Sequence, residues 1–262
     1  MQKADTKDLL VQVEGSVMNL TLNRPESLNS FSPAMIADLK KSINQAKQDE
    51  NIRVVILTGA GRSFSAGGDV KTMGTSEPID AYEHIGKLNE LILAIKDLEK
   101  PVIAAVHGFA AGAGFNLALA CDIILAAENS DFVLSFSKVG LISDGGGSYF
   151  LPRLIGVHRA KELMFHASPI NATEAKSLGI VNQIYPTDTF KIDVERYAEK
   201  LASGPSRAYG FIKKLTDRSL SSSLDEILEA ERITQATVIT TEDHREGVKA
   251  FKEKRHPDFQ GK

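Results

Sequence analysis

The chain has 262 residues, 42% of them hydrophobic and 25% charged, as in an ordinary soluble globular protein of one large domain or one domain with a small appendage. Its net charge of −3 and pI near 6.1 give no basic excess, which argues against nucleic acid or an anionic membrane as the main partner. Its one cysteine, Cys121, forms neither an internal disulfide nor a cysteine-based zinc site. There is no signal-like N-terminus and no apolar stretch of bilayer length, so a cytoplasmic protein is expected.

Taken in chain order, "LLVQVEG" and "VMNLTLNR" read as two short strands joined by a Gly-Ser turn. After the polar turn "RPESLNSFSP", Ser32-Pro33 opens a helix over "AMIADLKKSINQAKQ", whose apolar residues fall at helical spacing. "RVVILTGA" is a buried strand by its length and β-branching, and it runs into the Gly/Ser-rich "GRSFSAGGD". "IDAYEHIGKLNELILAIKDLE" is a long amphipathic helix stopped by Pro101. "VIAAVHG" is a second buried strand, followed by "GFAAGAG" and the helix "FNLALA". "DIILAA" and "DFVLSF" read as strands, and "DGGGSYFLPRLIG" and "RAKELMFH" as helices with Asp144 as a candidate N-cap. From about residue 187 onward the pattern is helical throughout. Alternating strands and helices predict an α/β fold, and the helical tail is of a kind that packs against a neighbour.

Two corners rich in Gly and Ala stand out, "FSAGGD" (64–69) and "GFAAGAG" (108–114). Each follows a predicted buried strand. Small residues there leave backbone N–H groups uncovered, and a helix N-terminus adds positive potential. Two such corners side by side would make an oxyanion hole for a carbonyl becoming an enolate. The plainer reading is that small residues permit close strand–helix packing. Asp144 in "LISDGGGSYFLPR" also has two readings. An apolar surround would raise its pKa toward the range useful for proton transfer; alternatively it caps a helix.

Other motifs point elsewhere and are weaker. Gly108, Gly112 and Gly114 have the GxxxGxG spacing of short-chain dehydrogenases, and Tyr209 and Lys213 have that family's YxxxK spacing. In that family, however, the glycines follow the first strand, whereas here they begin only at Gly108. No phosphate-loop consensus is present, and the six histidines form no HxxH or HxxxH pair, so no metal is expected.

The segments "LNRPESLNSFS", "VVILTGAGRSFSAGGD", "KPVIAAVHGFAAGAGFNLALACDIILAA" and "REGVKAFKEKRHPDF" resemble the crotonase superfamily, the enoyl-CoA hydratase/isomerase family, in the expected order over nearly the whole chain. The resemblance implies a crotonase-like α/β spiral of ββα repeats. It divides the chain into a core over 1–200 with the CoA and active site, and a helical oligomerisation region over 201–262. It implies a homotrimer or dimer of trimers and an acyl-CoA thioester substrate, coenzyme A being part of the substrate and no separate cofactor being needed. It places the oxyanion N–H groups at Ala66 and Ala113, with Gly114 beside the second. It places CoA contacts at Arg24, Ser27 and Leu28 and at Ala66, Gly67, Gly68 and Asp69, and a reach toward a neighbouring subunit's CoA at Phe251 and Lys254.

One departure from the family decides the expected chemistry. Where hydratases of the family carry two glutamates that activate water, this chain has Asn116 and Phe136. Asp144 remains, at the position that carries the acid/base carboxylate in several family isomerases, including the ring-epoxide isomerase of phenylacetate breakdown. The expectation is therefore an acyl-CoA isomerase that shifts a double bond or rearranges a ring epoxide through an enolate held in the oxyanion hole, with Asp144 as proton shuttle and with Phe136 and Leu141 excluding water. The alternatives are an enoyl-CoA hydratase and a non-catalytic acyl-CoA-binding homologue. Both fatty-acid β-oxidation and phenylacetate degradation fit.

Overall fold

The computed structural model describes residues 8–68 and 77–262. Strands β1 (Leu9–Glu14) and β2 (Val17–Leu22) form an antiparallel hairpin with Leu9 opposite Leu22. Helix α1 (Pro33–Gln48) starts where expected: the Ser32 hydroxyl accepts the Met35 N–H at 3.0 Å, satisfying one of the free donors of the first turn. Its buried stripe is Met35, Ile36, Leu39 and Ile43. Then follow β3 (Val54–Gly59), α2 (Pro78–Asp97), β4 (Val102–Val106), β5 (Phe109–Ala111), α3 (Ala113–Ala120), β6 (Ile123–Ala127) and β7 (Asp131–Val133). The chain continues through α4 (Gly147–Ile155), α5 (Val157–His166), β8 (Ile170–Asn171), α6 (Ala172–Ser177), β9 (Gln183–Tyr185) and the C-terminal helices α7 (Phe190–Ala202), α8 (Ser206–Ser219), α9 (Leu224–Val238) and α10 (Glu242–Glu253).

The main sheet has the order β1-β2-β3-β4-β6-β9 and is parallel from β2 onward. Both faces are covered, which is why β3 and β4 read as unbroken apolar runs. Successive side chains point to opposite faces. Val55, Leu57, Val102, Ala104 and Val106 join the core under α1, α2 and α3. Val54, Ile56, Ile103 and Ala105 pack with Phe190, Val194 and Ala198 of α7 on the other face. A small second sheet, β5-β7-β8, stands beside the first.

Three local expectations change. "DFVLSF" is strand only over Asp131–Val133 and continues as a 3₁₀ turn over Ser135–Val139. The three-residue β5 inside the second Gly corner, and β8 and β9, are too short to show a period. Helix α3 begins at Ala113 rather than Phe115.

The Tyr209–Lys213 motif is a packing anchor. Lys213 Nζ lies 2.8 Å from the Asp122 carboxylate with 7% of its side chain exposed, and it donates to the Ile95 carbonyl at 2.8 Å. Asp122 also accepts the Val102 N–H and lies 3.8 Å from Lys96. Removing one partner of a buried pair strands the other charge, at a cost of about 3–5 kcal/mol. Because Lys96 remains, Lys213→Met is expected to lose about 3 kcal/mol, read as a lower denaturant midpoint at unchanged slope. Cys121 is buried, and that burial pushes its thiol up to about 12, which leaves it un-ionised and unreactive.

Candidate active site

The strands β3 and β4 are parallel neighbours, so the chain leaves both at the same edge of the sheet. This brings the two Gly/Ala corners together. The Phe64 N–H donates to the His107 carbonyl at 2.8 Å, the Ser65 N–H to Phe109 at 3.1 Å, and the Ala111 N–H to Ser65 at 2.8 Å. Gly67, at φ +80°, sits where a Cβ would lie 2.6 Å from the Ala111 carbonyl oxygen, 2.7 Å from the Ala113 nitrogen and 2.9 Å from the Gly114 nitrogen. Only glycine fits both that conformation and that approach.

The expected donor at Ala66 is corrected by this geometry. Its N–H donates to the Leu28 carbonyl at 2.8 Å and is not available to a ligand. The Gly67 N–H is taken by Ser65 Oγ at 3.0 Å. Among the described residues, no acceptor faces the Gly68 N–H or the Ala113 N–H. Ala113 and Gly114 open α3, where the first-turn N–H groups have no partner within the helix and the dipole is positive.

The Asp144 loop closes over the same helix. Asp144 does not cap α4: that position belongs to Gly146, with no side-chain cap. The Asp144 carboxyl is half-buried, and its Oδ1 is a buried oxygen without a hydrogen-bond partner. Burial raises its pKa above the usual carboxylate value; the nearby His84 and a bond from its own backbone N–H oppose that shift. Asn116 is fully buried. Its Nδ2 donates to the Asp144 carbonyl at 2.7 Å and to Ser143 Oγ at 2.9 Å. The Phe136 ring lies beside Gly112, 3.8 Å from the place of a Cβ there. Leu141, its N–H bonded to the Phe136 carbonyl at 3.0 Å, is about half exposed.

The remaining expected positions are distributed as follows. Leu28 lies against the first corner through its bond to Ala66, in a left-handed conformation at φ +53°. Ser27 Oγ donates to the Arg24 carbonyl at 3.2 Å, and the Arg24 guanidinium donates to the Ser30 carbonyl at 2.8 Å. Asp69 lies outside the described residues. Phe251 and Lys254 end α10. Phe251 is 86% exposed and borders a groove of about 390 Å³ with Pro205, Ala208, Val238 and Val248. His107 is a packing residue: its Nε2 lies 3.1 Å from the Gly61 carbonyl and burial lowers its pKa. Among the described residues no cluster of His, Cys, Asp and Glu could hold a metal ion, and no helix is long and apolar enough to cross a membrane.

A family model described as enoyl-CoA hydratase/isomerase matches residues 12–262. The chain belongs to the enoyl-CoA hydratase/isomerase family. Within this family it is 41% identical to the 1,2-epoxyphenylacetyl-CoA isomerase of Escherichia coli (strain K12), over 97% of this chain and 98% of that one. It is 38% identical to a probable enoyl-CoA hydratase of Rhodobacter capsulatus, over 93% and 94% of the two chains. The crystal structure of an enoyl-CoA hydratase from Bacillus anthracis superposes with a TM-score of 0.93 at 36% identity, covering 97% of this chain and all of the other. The fold is thus that of the crotonase superfamily.

This hydratase/isomerase site also depends on residues that sequence reading passed over. Asn29 is fully buried at φ +56°. Its Nδ2 donates to the Ala60 and Ser63 carbonyls at 2.9 and 2.8 Å, and its Oδ1 accepts the Arg24 N–H. Ser65 Oγ donates to the Asn29 carbonyl at 2.8 Å. Together they tie the first turn to the first corner. The only sequence signal was an Asn-Ser pair in a polar turn, which fits an ordinary loop equally well.

Proposed function

We propose that this protein is an acyl-CoA isomerase that shifts a double bond through an enolate, with Asp144 moving the proton. One observation carries the reading. Among the described residues Asp144 is spent on neither a helix cap nor an ion pair, and it is half-buried with an unpartnered oxygen, at the loop that closes over the helix bearing the Ala113 N–H. Hydration needs groups that hold and deprotonate water, and the fully buried amide of Asn116 and the ring of Phe136 supply no base.

In this mechanism the thioester oxygen sits between the Gly68 and Ala113 N–H groups. The Asp144 carboxylate takes a proton from C2 of a 3-enoyl thioester. Negative charge moves onto the thioester oxygen, where the two N–H groups stabilise it. The protonated Asp144 returns the proton to C4, giving the conjugated 2-enoyl thioester with its formula unchanged. Phe136 and Leu141 shield the enolate from water. Exposed apolar side chains on α9 and α10, among them Leu224, Ile233 and Phe251, support a homotrimer or dimer of trimers, in which Phe251 and Lys254 face a neighbour's ligand.

The test is mass-resolved turnover in deuterated water. The wild-type protein is expected to convert a 3-enoyl-CoA to a conjugated isomer that gains deuterium and no water. Crotonyl-CoA gaining the mass of water would make the protein a hydratase instead. Tight acyl-CoA binding without exchange or hydration would make it a binding protein.

A further inference from the structure

We infer that Asn116 is a positioning residue that sets the Asp144 carboxylate against the oxyanion donors. The inference rests on the isomerase reading of Asp144.

Asn116 is the fourth residue of α3, and Ala113 is the first. The two are one turn apart on one rigid helix whose residues are all buried. Asn116 Nδ2 carries two bonds across to the Asp144 loop, to the Asp144 carbonyl and to Ser143 Oγ. The Asp144 carbonyl also accepts the Gly147 N–H at 3.1 Å, so two donors hold that peptide from two sides. The loop is pressed onto the amide with no slack. A Cβ at Gly147 would collide with Asn116 Oδ1 and Ser143 Oγ, and one at Gly145 would lie 3.3 Å from Leu88 of α2 and 3.7 Å from Asn116 Cβ. The Asn116 amide thus links the loop that carries the base directly to the helix that opens with the Ala113 N–H.

The donors also identify the amide orientation, since only nitrogen can face a carbonyl oxygen here. An ionised carboxylate at 116 would face that oxygen with a second acceptor and would add negative charge beside the Asp144 carboxyl. Like charges at close range disfavour ionisation. A carboxylate at 116 would thus both release the loop and raise the pKa of the base at 144, and the acid limb of the pH profile reads the second effect.

The experiment compares Asn116→Asp, which keeps the size and removes the donor, with Asn116→Leu, which keeps the bulk and removes all polarity. Deuterium incorporation into a 3-enoyl-CoA is followed against pH, and acyl-CoA binding is measured by calorimetry. In both variants kcat is expected to fall 10- to 100-fold with the Kd for acyl-CoA within about threefold of wild type, the signature of misplaced chemistry rather than lost binding. In Asn116→Asp alone, the acid limb of the kcat/KM profile moves to higher pH. If either variant is unfolded by circular dichroism, Asn116→Ala, which also removes the donor, takes its place with the same readout. Wild-type kcat and an unmoved pH profile in the folded variants overturn the inference. Exchange that needs Asp144 but is indifferent to residue 116 overturns this inference alone. Absence of exchange in the wild type overturns the isomerase reading and this inference together.

Discussion

Asp144→Asn is expected to abolish proton transfer while leaving the fold and acyl-CoA binding intact. A positioned acid/base group contributes about 10²–10⁴-fold, and no second carboxylate is described at this loop to replace it, so deuterium exchange at C2 should fall by that factor. The pH profile of the wild type adds an independent check. The base form is the ionised one, so kcat/KM falls as pH falls through the pKa of Asp144. Because burial holds that pKa above the usual carboxylate value, the acid limb should lie above the range of an exposed aspartate. Stability moves the other way. A carboxyl with a raised pKa in the folded state binds its proton more tightly there than in the unfolded chain. Its contribution is present below the unfolded pKa and is lost as pH rises through the folded one. At neutral pH the asparagine variant carries no such loss, and its thermal midpoint should equal or exceed that of the wild type. A variant that keeps full exchange, or a limb at the ordinary carboxylate position, would remove Asp144 from the mechanism.

Gly67→Ala is the second large effect, and it acts on the other half of the site. The added methyl would stand within 3 Å of the Ala111 oxygen and of the Ala113 and Gly114 nitrogens, so it must push the first corner away from the start of α3. The strain of a side chain at φ +80° adds to this. Loss of one oxyanion donor costs about 10²–10³-fold. Because this change displaces both corners at once, a loss of about 10³-fold or more in kcat is expected. Circular dichroism and the Kd of free coenzyme A separate this from unfolding. A folded Gly67→Ala protein that turns over at the wild-type rate would show that the gap between the corners does not hold the reacting oxygen.

Much of the molecule was legible in the chain because its signals are local. The Ser32-Pro33 start of α1 is a cap and a first-turn proline, both readable from neighbouring residues. The unbroken apolar runs of β3 and β4 announce strands buried on both faces, and the sheet covers both. The small residues of the two corners announced backbone exposed to something close. Which N–H groups are left without an internal acceptor was not local. Ala66 and Gly68 are two residues apart in the same glycine-rich string, and only the Leu28 carbonyl, nearly 40 positions upstream, consumes the first and leaves the second. Lys213 carried a catalytic-looking spacing, yet its partner is Asp122.

By itself the sequence determined the class of fold and the places where small residues let the backbone be approached; that Asn116 and Phe136 stand where hydratases carry glutamates is what the family resemblance implies. The first two depend on residue type and short spacing, which a linear chain displays directly. The tertiary structure alone decided that the two corners meet, because β3 and β4 pair in parallel and end at one edge. It decided that Asp144 is not a cap, because α4 begins at Gly147, and that Asn116 clamps its loop. Each of these is a hydrogen bond or close approach between residues far apart in the chain, and the partner of a donor is settled only when folding brings an acceptor within reach.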